Sequence, residues 1–183
     1  MYHTANEPVT LSRNCDAVII PSGEEVKLSE GITGFLTQAL GGSFTIYIEG
    51  NLFRIAGIDA DAIGKNPITP PDVPDNATDK EIEDLVWSQL RTCYDPEIPI
   101  NVVDLGLIYN CDIHTNKSKE YFVSVEMTLT APGCGMGDIL MQDVKEKIEI
   151  IPIIQEANVE LVFDPPWNQS MMSETARLEA GLL

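Results

Sequence analysis

The residue type and setting best suited to chemistry in this chain is a single thiol. Cys134 stands in Thr130-Ala131-Pro132-Gly133-Cys134-Gly135, directly after an alternating apolar run and directly before a helical one. Unpaired amides at a helix N-terminus carry partial positive charge, which favours a thiolate and makes the sulfur a better nucleophile and soft-metal ligand. Gly133 and Gly135 bring no side chain to cover the thiol and let the backbone approach a ligand closely. The competing description, a small buried residue in a tight turn, suits two other cysteines better. Cys93 is in register with Val86 on a helical face, and Cys111 alternates with Leu107 and Tyr109. Cys15 opens a strand, where periodicity does not distinguish core from surface.

A second polar segment, Asp95-Pro96-Glu97-Ile98-Pro99 through Asp104-Leu105-Gly106, contains three carboxylates, Asp95, Glu97 and Asp104. They can supply hard oxygen ligands or orient a base, although residue type alone reads more simply as turn formation and tied-down loop amides. His3 lies near the start and His114 in a turn, so neither a histidine-rich zinc site nor a Cys-His dyad can be drawn. The four cysteines are 78, 18 and 23 positions apart, without a C-x-x-C pair, which excludes a zinc ribbon and a thioredoxin motif.

The elements that must position these groups follow from periodicity. Thr78-Asp79-Lys80-Glu81 is a capping box, and Ile82, Leu85, Val86, Leu90 and Cys93 share one helical face up to the Asp95-Pro96 step. Leu105-Leu107-Tyr109-Cys111-Ile113 and Tyr121-Val123-Val125-Met127-Leu129 alternate as the strands of an antiparallel hairpin. Met136, Leu140, Val144, Ile148 and Ile151 mark a second helix ending before Pro152, and Val159, Leu161 and Phe163 a last strand. The order α-β-β-α-β over residues 79–163 predicts a compact α+β domain with its helices on one face of a three-stranded sheet.

Upstream, residues 1–64 hold short β-type runs, at 16–20, 25–28, 43–48 and 52–55, with Gly50-Asn51 as the hairpin turn. They predict a small β-rich module. Residues 65–78 contain four prolines and no apolar periodicity and read as a stiff connector. Residues 164–183 form a C-terminal tail in which Ser173 is suited to capping a helix.

Composition narrows the function classes. The formal charge is −18, about −5 over residues 1–64 and −12 over residues 79–183, so neither part is basic. Nucleic acids and anionic membranes are therefore expected not to be partners. No uninterrupted apolar run is long enough for a membrane helix, and residues 1–10 lack the pattern of a secretory signal. A cytoplasmic protein with reduced thiols is the expectation.

The motifs themselves resemble the metal–sulfur cluster assembly factor family. That likeness covers residues 79–163 and rests on Asp95 to Pro99, Asp104 to Ile108, and Thr128-Leu129-Thr130-Ala131-Pro132-Gly133-Cys134. Many relatives carry proline after the cysteine where this chain has Gly135. Gln38 to Thr45, Asp164-Pro165-Pro166-Trp167 and Met172-Ser173-Glu174 narrow the likeness to the SufT-type subgroup. The resemblance implies a non-enzymatic factor that matures iron–sulfur proteins and meets the assembly machinery and client apoproteins. It implies Cys134 as the reactive thiol, with Asp95, Glu97, Asp104, Thr128 and Thr130 around it. No stably bound cofactor is expected, only iron or a cluster held transiently. One thiol cannot supply the four ligands of a stable cluster, so a homodimer, a small thiol or the carboxylates would have to complete it. The alternatives are a thiol enzyme with Cys134 as nucleophile and an interaction module with an inert cysteine.

Overall fold

The computed structural model describes residues 7–95, 98–131 and 135–182. The chain forms two compact units, Met1–Thr69 and Pro70–Leu183.

In the first unit six antiparallel strands build one sheet: β1 (Glu7–Thr10), β2 (Cys15–Ile20), β3 (Glu25–Leu28), β4 (Thr33–Leu40), β5 (Ser43–Ile48) and β6 (Asn51–Ile55), in the order β1-β4-β5-β6-β2-β3. Alternation sends Leu36, Phe44, Ile46 and Ile55 to one face, where they pack with Leu11, Cys15 and the short 3-10 helix Gly57–Ile63. The β5–β6 loop is Glu49-Gly50, not Gly50-Asn51, and Asn51 pairs with Ile48. Both loop residues have positive φ, 46° and 94°, as a two-residue hairpin of this hand requires. Strands β1 and β4 have no counterpart in the sequence pattern. β4 carries a register shift between Leu36 and Gln38, which breaks strict alternation.

Residues 65–78 are shared between the units rather than free of both. The Lys65 amide donates to Ala60 O and that of Ile68 to Gly57 O, while Val73 and Ala77 pack on the second core.

The second unit is α+β. Helix α1 (Asp79–Leu90) starts at the predicted capping box, with the Thr78 side chain accepting from the Glu81 amide and the Glu81 carboxylate accepting from the Thr78 amide. Strands β7 (Ile108–Thr115) and β8 (Tyr121–Met127) are antiparallel, and β9 (Ile154–Leu161) is parallel to β8. Helix α2 (Gly137–Glu149) is the crossover that a parallel pair needs. Ile82, Val86 and Leu90 of α1 and Leu140, Val144 and Ile148 of α2 pack with Tyr121, Val123, Val125 and Met127 in one core. The sequence pattern starts β7 too early, because Leu105 and Leu107 are fully buried in the preceding loop and not in a strand. It starts β9 too late: Ile154 and Ala157 are the strand's buried residues, and Phe163 lies beyond its end and is exposed. In the tail, α3 (Glu174–Glu179) is capped by Ser173, whose side chain accepts from the Ala176 amide.

Candidate functional site

Two of the expected site residues, Glu97 and Cys134, lie outside the described residues. The other four are placed, and two of them touch. Asp95 follows α1 and is 3% exposed. Its Oδ1 accepts from the Ile98 amide at 2.8 Å, and its Oδ2 accepts from the Thr130 hydroxyl at 3.3 Å. That contact joins the Asp-Pro-Glu-Ile-Pro segment to the segment leading from β8 toward Cys134, 35 positions away in sequence. Thr128, at the same exit from β8, is buried, and its amide donates to Leu107 O at 2.8 Å. A carboxylate buried this deeply persists because its oxygens are hydrogen-bonded.

Asp104 serves a different contact. Asn101 organises the loop: its Oδ1 accepts from the amides of Val103 (3.1 Å) and Asp104 (2.9 Å), and its Nδ2 donates to Asp104 Oδ2 at 2.6 Å. This is the loop-tying role that residue type alone suggests for an aspartate in such a segment.

The C-terminal tail clamps the same loop. Trp167 Nε1 donates to Leu105 O at 2.8 Å, the Ser173 amide donates to Asp104 O at 2.8 Å, and Met171 lies against Gly106. Tyr109 adds a bond from its hydroxyl to Pro165 O at 2.7 Å. Sequence reasoning missed Asn101 and the clamp. The available signals were an asparagine three residues before Asp104 and a lone tryptophan after the two prolines that open the tail.

A further polar pair was also missed. Asp143 and Lys147, one turn apart on α2, are 7% and 3% exposed, and Lys147 Nζ is 3.3 Å from Thr92 Oγ1. Both flank the apolar positions Val144 and Ile148, so periodicity reads them as the polar edge of the helix.

Three of the four thiols can be compared. Cys15, Cys93 and Cys111 are thiols rather than disulfides, and Cys15 and Cys93 are fully buried. Burial, reinforced by Asp59, pushes the Cys15 thiol up to about 11, and burial with Asp112 and Glu83 does the same to Cys111. Cys111 is only half-buried, at the margin of the core rather than inside it. Such thiols stay protonated near neutral pH and make poor nucleophiles and ligands. Helix α2 begins three residues after Cys134, and its N-cap residue Met136 makes no side-chain cap. Among the described residues no three His, Cys, Asp or Glu side chains gather to hold a metal ion, and no helix is long and apolar enough to cross a membrane.

Residues 83–161 match the family model described as iron-sulfur cluster assembly protein. A Porphyromonas gingivalis protein named Fe-S protein maturation auxiliary factor is 50% identical over 101 residues, 55% of this chain and 91% of that one. This chain belongs to the iron–sulfur cluster assembly family. The Fe-S protein maturation auxiliary factor SufT of Staphylococcus aureus is 41% identical over 88 residues, 48% of this chain and 96% of that one. The factor YitW of Bacillus subtilis is 28% identical over 104 residues, 57% of this chain and 98% of that one. The family resemblance carried by the sequence motifs is thereby borne out, and the α+β expectation is borne out by the helices and strands of the second unit.

Proposed function

We propose that this chain is a carrier or adaptor in iron–sulfur protein maturation, working through Cys134 as a transient ligand to iron or to the edge of a cluster. The observation that supports the reading is the Thr130–Asp95 hydrogen bond, which ties the segment preceding Cys134 in sequence to Asp95 of the acidic segment. Three lines support Cys134 over the other thiols. It stands four positions after Thr130 in sequence, α2 begins three residues later without a side-chain cap, and Cys15 and Cys111 are held protonated by burial.

Iron or cluster is cargo in this reading. One thiolate leaves most coordination positions to others, so the metal is shared with a second chain or completed by a small thiol or by a carboxylate of the acidic segment. Exchange of that thiolate for client thiolates releases the cargo without any redox step. The relatives' names describe auxiliary factors, in keeping with a role without turnover. Assembly proteins and client apoproteins in the cytoplasm are the partners, while a charge of −18 disfavours nucleic acid.

The test is anaerobic reconstitution of the full chain with iron and sulfide, followed by absorption and Mössbauer spectroscopy. Wild type is expected to take up a labile chromophore that Cys134→Ser lacks, and Cys134→Ser is expected to fail in a cellular maturation assay while keeping wild-type stability. Full complementation by Cys134→Ser would refute the proposal.

A further inference from the structure

The face of the N-terminal sheet opposite its core carries an apolar row that sequence alternation alone does not reveal. Strand register sets Pro8 of β1 beside Phe35 of β4, Phe35 beside Tyr47 of β5, Tyr47 beside Leu52 of β6, and Leu52 beside Ile20 of β2. These five residues come from five different strands, and their side chains share one face because each is the direct partner of the next. Phe35, Tyr47 and Leu52 are 47%, 43% and 36% exposed, and none belongs to the core cluster. Isolated surface hydrophobics need no explanation, whereas a contiguous aromatic and aliphatic row does.

Size and charge select the occupant. Four strand spacings of about 4.8 Å make the row about 19 Å long. A row one side chain wide offers roughly 200 Å², below the roughly 800 Å² per partner of a stable interface, so a permanent dimer is disfavoured and whatever docks here is held weakly and transiently. A second copy is disfavoured further by like charge, since each chain carries −18. An extended peptide would pair with a strand edge, but this row runs across strands, where contact is made by side chains alone. A helix fits: about 19 Å is about 13 residues at 1.5 Å each, three to four turns with one apolar stripe.

The bordering charges are acidic. Glu49 sits in the β5–β6 turn beyond Tyr47, Glu24 in the β2–β3 turn beyond Ile20, and Glu25 pairs with Val18 in the next row. Of the cations on this face, Arg54 is buried with a nitrogen on Ser43 Oγ, and Lys27 is paired with Asp16. We propose that the row centred on Phe35, Tyr47 and Leu52 docks a basic amphipathic helix of a protein partner, the apolar stripe on the row and lysine or arginine against the acidic margin. The N-terminal unit thereby selects the partner, independently of the chemistry at Cys134.

The test uses the full chain and a fluorescent helical peptide of about fourteen residues, leucine along one stripe and lysine elsewhere. Two controls replace lysine by glutamate or shuffle the same residues so that no stripe forms. The stripe-bearing basic peptide is expected to bind at least about tenfold more tightly than either control. Phe35→Ser with Tyr47→Ser should weaken it by about tenfold or more at unchanged circular dichroism and melting temperature. Should that double variant fail to fold, Leu52→Ser is expected to weaken binding by about threefold. Ile58→Ser, an exposed apolar residue outside the row, should leave affinity unchanged. Equal binding of the shuffled peptide, an equal loss in Ile58→Ser, or unaltered affinity in the row variants overturns the proposal. So does sedimentation showing a wild-type dimer that the row variants convert to monomer.

Discussion

Replacing Gly106 by alanine is expected to cost the second unit about 3–4 kcal/mol, from two separable causes. Gly106 has φ +71°, and an L-residue there costs about 1–2 kcal/mol. The added methyl would also lie 2.3 Å from the Met171 carbonyl oxygen and 2.8 Å from its carbon. Both are backbone atoms, so relief requires the tail to move by about 1 Å. Movement strains the Trp167–Leu105 and Ser173–Asp104 bonds on either side, each worth about 1 kcal/mol. Gly181 is the matched control, with the same φ of +71° and nothing within 4 Å of an added Cβ, so Gly181→Ala should show the backbone cost alone. Both tryptophans, Trp87 and Trp167, belong to the second unit. Urea unfolding followed by tryptophan fluorescence therefore reports on that unit in the full chain. A Gly106→Ala loss no larger than that of Gly181→Ala would show that the tail does not clamp the loop.

The buried thiols yield two further expectations. Below about pH 9 Cys15 is protonated whether the chain is folded or not, but between about 9 and 11 only the unfolded chain ionises it, so stability falls as pH rises. Cys15→Ala should flatten that part of the pH–stability curve of the β-rich unit, measured by circular dichroism melts, and an unchanged slope would contradict the assignment. At limiting iodoacetamide near neutral pH, Cys134 should label first, because thiols near 11 are less than about 0.1% ionised there. Earlier labelling of Cys15, Cys93 or Cys111, resolved by peptide mass spectrometry, would redirect the proposed chemistry.

Local sequence determined much of this protein, because the forces involved act over a few positions. The Thr78–Glu81 cap needs only neighbours three apart, and the faces of α1, α2 and β8 follow from periods of 3.6 and 2, so these elements were legible. The family motifs were legible too, being contiguous strings around Asp95, Asp104 and Cys134. Leu105 and Leu107 alternate like strand residues yet fold as loop, buried in one core with Met172 and Trp167 of the tail, and β4 escaped notice because its bulge interrupts alternation. Only the tertiary structure decided that Asp95 meets Thr130, that Asp104 is held by Asn101 and the tail, and that five residues from separate strands form one row. Apart from the Asn101–Asp104 bond and the hairpin pair Tyr47–Leu52, those contacts join residues far apart in sequence, where no local period exists and register and packing alone choose the partners.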